Sequence, residues 1–364
     1  MANKFTVTPW EVKGDIDYSK LIKEFGLSEL KDLPEVFNKE LLFRRKIIFA
    51  HRDIQRILEA KKNKKKFVMM TGLMPTGKFH IGHAVLAKQM IFWQKLGAEI
   101  YIAVADIEAY HARNQSLEES KNIAMEEYIK NYIALGLKPC NIYFQSERSK
   151  DAKKANAFYR LQNQLARHTT FNEVKAIYGE ISPGKMFSAL LQAADMLHPQ
   201  LKEFEGPCPV LVPVGVDQDP HLRLARDISQ RIKNPSFIQL SSTYHTFMPG
   251  LKGGKMSASD PLSFIALTDS PKEVENKVKK YAFSGGQSTL EEHRKKGGNP
   301  DIDVSYQWLT FLEKDDNKLQ SIYDDYKSGK LLTGELKQIL IATLNKFLKQ
   351  VQKNRETAKL NKYV

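Results

Sequence analysis

Cysteine is nearly absent, with only Cys140 and Cys208 in 364 residues, and the two stand in dissimilar surroundings. That count excludes a disulfide framework and a cysteine-built zinc or iron–sulfur centre, so no structural metal is expected and both are read as reduced thiols. Long apolar runs are missing too: nothing approaches the ~20 residues that cross a bilayer. Met1-Ala2-Asn3-Lys4 leads into mixed polar sequence without a secretory apolar core, so a cytoplasmic protein with no membrane partner is expected. Acidic residues are outnumbered, 42 against 56 basic, which leaves a net charge of +14 and favours a polyanionic partner, nucleic acid first. The run from Lys61 to Lys66 is by itself as readily a solvated turn.

Strand and helix signals alternate through the middle of the chain. Phe67-Val68-Met69-Met70 reads as a buried strand ended by Thr71-Gly72 and a turn, and a helix from about His83 carries Leu86, Met90 and Trp93 on one face. Ile100 to Ala105, Ile142-Tyr143-Phe144 and Val210 to Val214 read as further strands. Strands alternating with helices predict an α/β fold, a doubly wound parallel-sheet (Rossmann-like) catalytic domain over 67–267. A mainly helical insertion is expected over about 106–207, an appended segment over 1–66, and an all-α C-terminal domain over 268–364, whose stripe Leu336, Leu340, Leu344, Phe347, Val351 is amphipathic.

Two short segments carry the chemistry. In Pro75-Thr76-Gly77-Lys78-Phe79-His80-Ile81-Gly82-His83 a turn delivers a helix whose N-terminal N–H groups are expected beside a phosphate site, with His80 and His83 as further donors and Gly82 leaving room for close approach. Neither Gly-x4-Gly-Lys-Ser/Thr nor Gly-x-Gly-x-x-Gly occurs there, so ATP is not held in the kinase or dinucleotide manner. The second segment, Lys255-Met256-Ser257-Ala258-Ser259 after Gly253-Gly254, offers a cation and two hydroxyls on a loop able to close over pyrophosphate. Each has a plainer reading: two histidines capping a buried helix, and a basic surface loop. A carboxylate attacking an α-phosphate is already ionised at neutral pH, so such a site needs positioning and charge stabilisation rather than a general base. The absence of a Ser/His/Asp or paired-carboxylate constellation is consistent with that chemistry.

Together the segments resemble those of class I aminoacyl-tRNA synthetases. His168-Thr169-Thr170-Phe171-Asn172-Glu173-Val174-Lys175, Gly215-Val216-Asp217-Gln218-Asp219-Pro220, Ala282-Phe283-Ser284-Gly285-Gly286, Gly297-Gly298-Asn299 and Leu332-Thr333-Gly334-Glu335 narrow the resemblance to the tryptophan branch of archaea and eukaryotes, over nearly the whole chain. The resemblance implies a ligase that uses ATP with Mg²⁺ to form tryptophanyl-adenylate and passes the amino acid to tRNA(Trp). A homodimer is implied as well, with the helical tail reading the anticodon. His80 and His83 are implied to stabilise the α-phosphoryl transition state, and Lys255, Ser257 and Ser259 to hold the leaving pyrophosphate. Thr76, Gly82, Gly215, Asp217 and Met256 would contact ATP, with Gly215 and Asp217 at the ribose. Glu108, Gln192 and Gln218 would hold the substrate's amino and carboxylate groups.

The amino-acid pocket departs from that branch. Where its members carry a tyrosine before the first Thr-Gly and a glutamine on the second strand, this chain has Met70 and Ala103, neither a strong acceptor for an indole N–H. Gln192-Ala193-Ala194-Asp195-Met196-Leu197 instead resembles bacterial tryptophan enzymes, in which an aspartate at the Asp195 position accepts that hydrogen bond. Met70, Gly72 and Asp195 are therefore the expected ring contacts. Tyrosine enzymes also place an aspartate there, but together with a tyrosine at the Met70 position. A phenol donates and accepts whereas indole only donates, so an acceptor beside an apolar wall favours tryptophan. A tyrosine-specific enzyme and a non-catalytic tRNA-binding paralogue are the alternatives, and Asp195 has a plainer reading as a helix cap or surface carboxylate.

Overall fold

The computed structural model describes residues 6–7, 12–13, 18–113, 115–254, 256 and 260–363, the first two pairs by backbone alone. Its centre is a seven-stranded sheet: β1 (Ser28–Glu29), β2 (Ile48–Arg52), β3 (Val68–Leu73), β4 (Glu99–Val104), β5 (Asn141–Phe144), β6 (Val210–Gly215) and β7 (Ser241–His245), in the order β1-β2-β7-β6-β3-β4-β5. The five strands from β3 to β7 run parallel, while β2 pairs antiparallel with β7 and β1 with β2. Val68, Met69, Met70 and all of β6 are buried, which is why those strands read as continuous apolar runs rather than alternating ones.

From β3 the chain winds outward through β4 to β5, then returns to the other side of β3 as β6. Strand order thus reverses between β3 and β6, and the crevice outside their carboxyl ends is where open α/β sheets bind ligands. Five of the helices carry residues singled out in the sequence: α1 (His83–Lys95), α2 (Asp106–Arg113), α3 (Phe171–Tyr178), α4 (Pro183–Leu197) and α5 (Thr333–Glu356). Three of their starts have a clear local cause. Thr170 and Glu173 form a reciprocal capping box at α3, Ser182 accepts from Lys185 N–H at α4 with Pro183 in the first turn, and Glu335 accepts from Leu332 N–H at α5.

The two sheet faces bury separate cores. On one, Trp93, Phe37, Phe43 and Phe92 form an edge-to-face cluster continuous with Trp308, Leu336, Leu340 and Leu344, so the C-terminal helices share a core with the sheet. On the other, α4 lays Ala193, Ala194 and Leu197 against Met70, Tyr101, Ala103 and Tyr143. The segment before residue 67 adds β1 and β2 to the sheet and ties it to the helical end, where Arg44 Nε donates to Asp316 Oδ2 at 2.7 Å and Arg45 Nη1 to Thr310 O at 2.8 Å. Within 106–207, β5 forms the far edge of the sheet and the surrounding segments are mainly helical. No described helix is long and apolar enough to cross a membrane.

Candidate active site

At the carboxyl end of β3 the turn through Pro75 and Thr76 is fixed from outside: Tyr128 Oη donates to Thr76 O at 2.9 Å and Gln115 Nε2 to Pro75 O at 2.8 Å. The following residues are stitched to a segment nearly two hundred positions away. Ile81 N–H donates to Ile265 O at 3.0 Å, Leu267 N–H to Phe79 O at 3.0 Å, and His80 forms an antiparallel bridge with Ala266. The backbone just beyond the second motif therefore holds the first. Met256, the described residue of Lys255 to Ser259, also reaches it: a Cβ on Gly82 would lie 3.1 Å from Met256 Sδ and 3.1 Å from His80 Nδ1. Lys255, Ser257 and Ser259 lie outside the described residues.

The two imidazoles stack with centroids 3.7 Å apart and planes 20° apart. His80 N–H donates to His83 Nδ1 at 3.1 Å, so a neutral His83 carries its proton on Nε2. Burial pushes His83 down to about 4 and His80 well below the ordinary histidine range, with the neighbouring ring adding to the latter. Both rings are therefore neutral near pH 7. The buried Nδ1 of His80 has no hydrogen-bond partner among the described residues. Backbone amides contribute less than the sequence suggests: the N–H groups of His83, Ala84 and Val85 turn back onto His80 O, Ile81 O and Gly82 O.

Across the crevice, β6 ends at Gly215, and a Cβ there would lie 2.7 Å from Asp217 Oδ1 and 2.8 Å from Phe247 Cε1. Glycine is needed for close packing here, and Gln218 Nε2 donates to Asp217 Oδ2 at 3.3 Å. Nothing in the sequence places Phe247 at this corner. Over the sheet, Gln192 Nε2 on α4 donates to Glu108 Oε2 on α2 at 2.8 Å, while the buried Gln192 Oε1 has no partner among the described residues. Burial raises the Glu108 carboxyl, against the hydrogen bond from Gln192 and the charge of Arg113.

Asp195 is neither a cap nor a surface group; it lies inside α4 and is buried. Tyr143 Oη donates to its Oδ1 at 2.6 Å and Gln145 Nε2 to its Oδ2 at 2.7 Å, two partners that no sequence motif singles out. Burial pushes Asp195 up to about 7 against the pull of those donors and of Arg148, with Glu108 adding to the rise. In the sheet, Gly72 pairs with Ala103 and Ala103 with Tyr143, so two small residues stand side by side next to a tyrosine. Gly72 is exposed and Met70 and Ala103 are buried; a Cβ on Gly72 would touch only Ala103 O, at 3.9 Å. Gly72 and Ala103 leave little side-chain bulk in that row, and the Tyr143 hydroxyl next to them is bonded to the Asp195 carboxylate.

The model of the family tRNA synthetases class I (W and Y) matches residues 61–349. The chain belongs to that family. Among class I synthetases it is similar to the tryptophan–tRNA ligase of Methanocaldococcus jannaschii, 46% identical and covering 97% of this chain and 96% of the relative. It is also similar to that of Hyperthermus butylicus, 43% identical over 98% and 96%. The crystal structure of tryptophanyl-tRNA synthetase from Aeropyrum pernix superposes with a TM-score of 0.88 at 42% identity, covering 94% of each chain. The expected class I synthetase fold of archaeal type is thus the one observed.

Proposed function

We infer that this chain activates tryptophan with ATP and transfers it to tRNA(Trp). Full-length similarity to tryptophan–tRNA ligases supports the reaction class. The observation that carries the choice of amino acid is the buried Asp195 acceptor, bonded to Tyr143, which is the sheet partner of Ala103 in the row with Gly72. The tryptophan carboxylate attacks the α-phosphorus of ATP, forming tryptophanyl-adenylate as pyrophosphate departs. A ribose hydroxyl of the tRNA terminus then attacks the activated carbonyl, and AMP leaves with the electron pair. His80 and His83 present neutral donors to charge that grows on the α-phosphoryl oxygens, in a site already built and shielded. Thr76, Gly82 and Met256 shape the nucleotide corner, Gly215 and Asp217 receive the ribose, and Lys255, Ser257 and Ser259 are assigned to the pyrophosphate. Glu108 and the acceptor oxygen of Gln192 suit the substrate ammonium, with Gln218 at the carboxylate. Indole N–H meets Asp195 over Gly72 and Ala103.

Mg²⁺ is proposed to arrive with ATP, as such ions usually do. Among the described residues no group of three or more His, Cys, Asp or Glu is arranged to hold a metal, so its binding would rest on the phosphate oxygens. A homodimer is proposed on the strength of three exposed aromatics, Tyr110 on α2, Phe171 on α3 and Phe187 on α4, carried by helices that pack together. The positive balance and the helical tail support tRNA as the polyanionic partner, and a cytoplasmic location is proposed with it.

Pyrophosphate exchange with each amino acid tests the reading; exchange with tyrosine alone would sink it, and none with either would favour an idle paralogue. Two variants sharpen the test. Gly215→Ala drives a methyl into Asp217 and Phe247, so the KM for ATP is expected to rise about tenfold or more, with the KM for tryptophan within about twofold. Asp195→Asn keeps the shape but removes the charge, and exchange kinetics should show about a tenfold loss of preference for tryptophan over tyrosine with ATP binding retained.

A further inference from the structure

We propose that Tyr143, Gln145 and Arg148 form a buried clamp that fixes the Asp195 carboxylate as the tryptophan-selecting acceptor. The inference rests on the role given to Asp195 above and adds positioning residues that act through it.

The clamp closes on itself. Tyr143 and Gln145 each donate to a different Asp195 oxygen, at 2.6 Å and 2.7 Å. The Arg148 guanidinium covers the Tyr143 ring, 3.9 Å from its centroid, with Phe204 at 4.5 Å on the same cation. A cation over the ring draws electron density from the phenol and makes its hydroxyl a better donor. Arg148 is itself held by His198, whose Nε2 lies 3.1 Å from Arg148 Nε and 2.7 Å from Nη2. Arginine has only donors, so Nε2 accepts and the His198 proton stands on Nδ1. That nitrogen lies 2.9 Å from Asp195 O and 3.1 Å from Ala194 O, which only accept. The circuit therefore begins at the Asp195 carboxylate and ends at the Asp195 backbone, and Asp195, Gln145, Arg148 and His198 are all buried.

This arrangement governs what the carboxylate offers a substrate. Each oxygen receives one protein donor and keeps acceptor capacity for one more. Ionised, the group accepts only, which suits indole N–H; protonated, it presents a donor, which suits a phenol oxygen. Burial works against ionisation, and the groups facing Asp195 decide the balance. Tyr143, Gln145 and Arg148 from the β5 side favour the charge, and Glu108 from α2 opposes it. Tyr159 donates to Gln145 O at 2.8 Å and senses the same charges, while His198 stays neutral. Removing one donor therefore raises the pH at which Asp195 ionises.

The test uses the full chain in pyrophosphate exchange from pH 6 to 9, varying tryptophan at saturating ATP and then ATP at saturating tryptophan, with thermal melting alongside. Tyr143→Phe keeps the ring under Arg148 and deletes the hydroxyl; Gln145→Met deletes the other donor without touching the stack. Each variant is expected to raise the KM for tryptophan about tenfold at pH 7. Each should also move the acidic limb of kcat/KM for tryptophan to higher pH, with kcat and the KM for ATP unchanged, and the gap from wild type should narrow toward pH 9. An unmoved limb with wild-type KM in both folded variants overturns the clamp, and so does an equal fall in kcat with no pH shift, which is a merely structural effect. Should wild type exchange tyrosine only, the proposed function fails and the clamp with it, an outcome visible before any variant is made.

Discussion

His83→Asn is expected to lower the rate of pyrophosphate exchange by about 10²–10³ while leaving the KM for tryptophan nearly unchanged. The amide oxygen of asparagine can replace Nδ1 as the acceptor of the His80 N–H, 3.1 Å away in the native chain, so the turn should survive. What is lost is the Nε2–H, the donor that this tautomer leaves free for the phosphoryl oxygens. His83→Gln places an amide nearer the Nε2 position and should retain more activity than the asparagine variant. A reversed order in kcat would mean that His83 serves the turn and not the reaction. Because burial keeps both imidazoles neutral, their own titration should not set the acidic limb of exchange above about pH 5, with His83 ionising near 4. Asp195, held near 7, is the group expected to set it.

Much of this scaffold is legible because its strands are buried on both faces. Val68 to Met70, Ile100 to Val104 and Val210 to Val214 are apolar without alternation, the pattern that parallel strands covered by helices require. Strand β7 is hidden for the opposite reason. Ser241, Ser242 and Thr243 are polar in sequence, yet all are fully buried, because β2 and β6 flank them and their backbone is satisfied by the ladders. Neither β2 nor β7 can be placed without that tertiary pairing. Within the site, His80 and His83 are readable from a motif with its own spacing. Tyr143, Gln145 and Arg148 sit at a strand end and acquire meaning only when α4, some fifty residues on, lays Asp195 over them. The strand pairing of Ala103 with Tyr143 is the structural fact that makes the departure at Ala103 intelligible: the polar partner of the pocket stands one strand further out.

Buried histidines, His83 among them, are expected to make the fold less stable in acid. Burial holds His83, His221 and His245 down to about 4, so each is neutral in the folded chain and protonated in the unfolded one between about pH 4 and 6.5. Over that window the unfolded state binds more protons, so stability rises with pH; it is complete above about 6.5 and is lost as pH falls toward 4. Asp195, raised to about 7, works in the other direction over the same window, since the folded chain protonates it first. Three histidines against one carboxylate leave a net uptake of two protons on unfolding, a slope of about 3 kcal/mol per pH unit. His80 and His198, pushed well below the ordinary range by burial, steepen it, and Glu108, raised by burial, eases it. Between pH 6.5 and 5 the loss is about 3 kcal/mol, a large part of the roughly 5–15 kcal/mol that holds a domain together. Urea midpoints measured at pH 7, 6 and 5 should therefore fall at each step, and His221→Gln, which cannot take up a proton, should flatten the decline. A midpoint that holds steady from pH 7 to 5 would show that these imidazoles are not kept neutral, and with that the case for His80 and His83 as uncharged donors would fail.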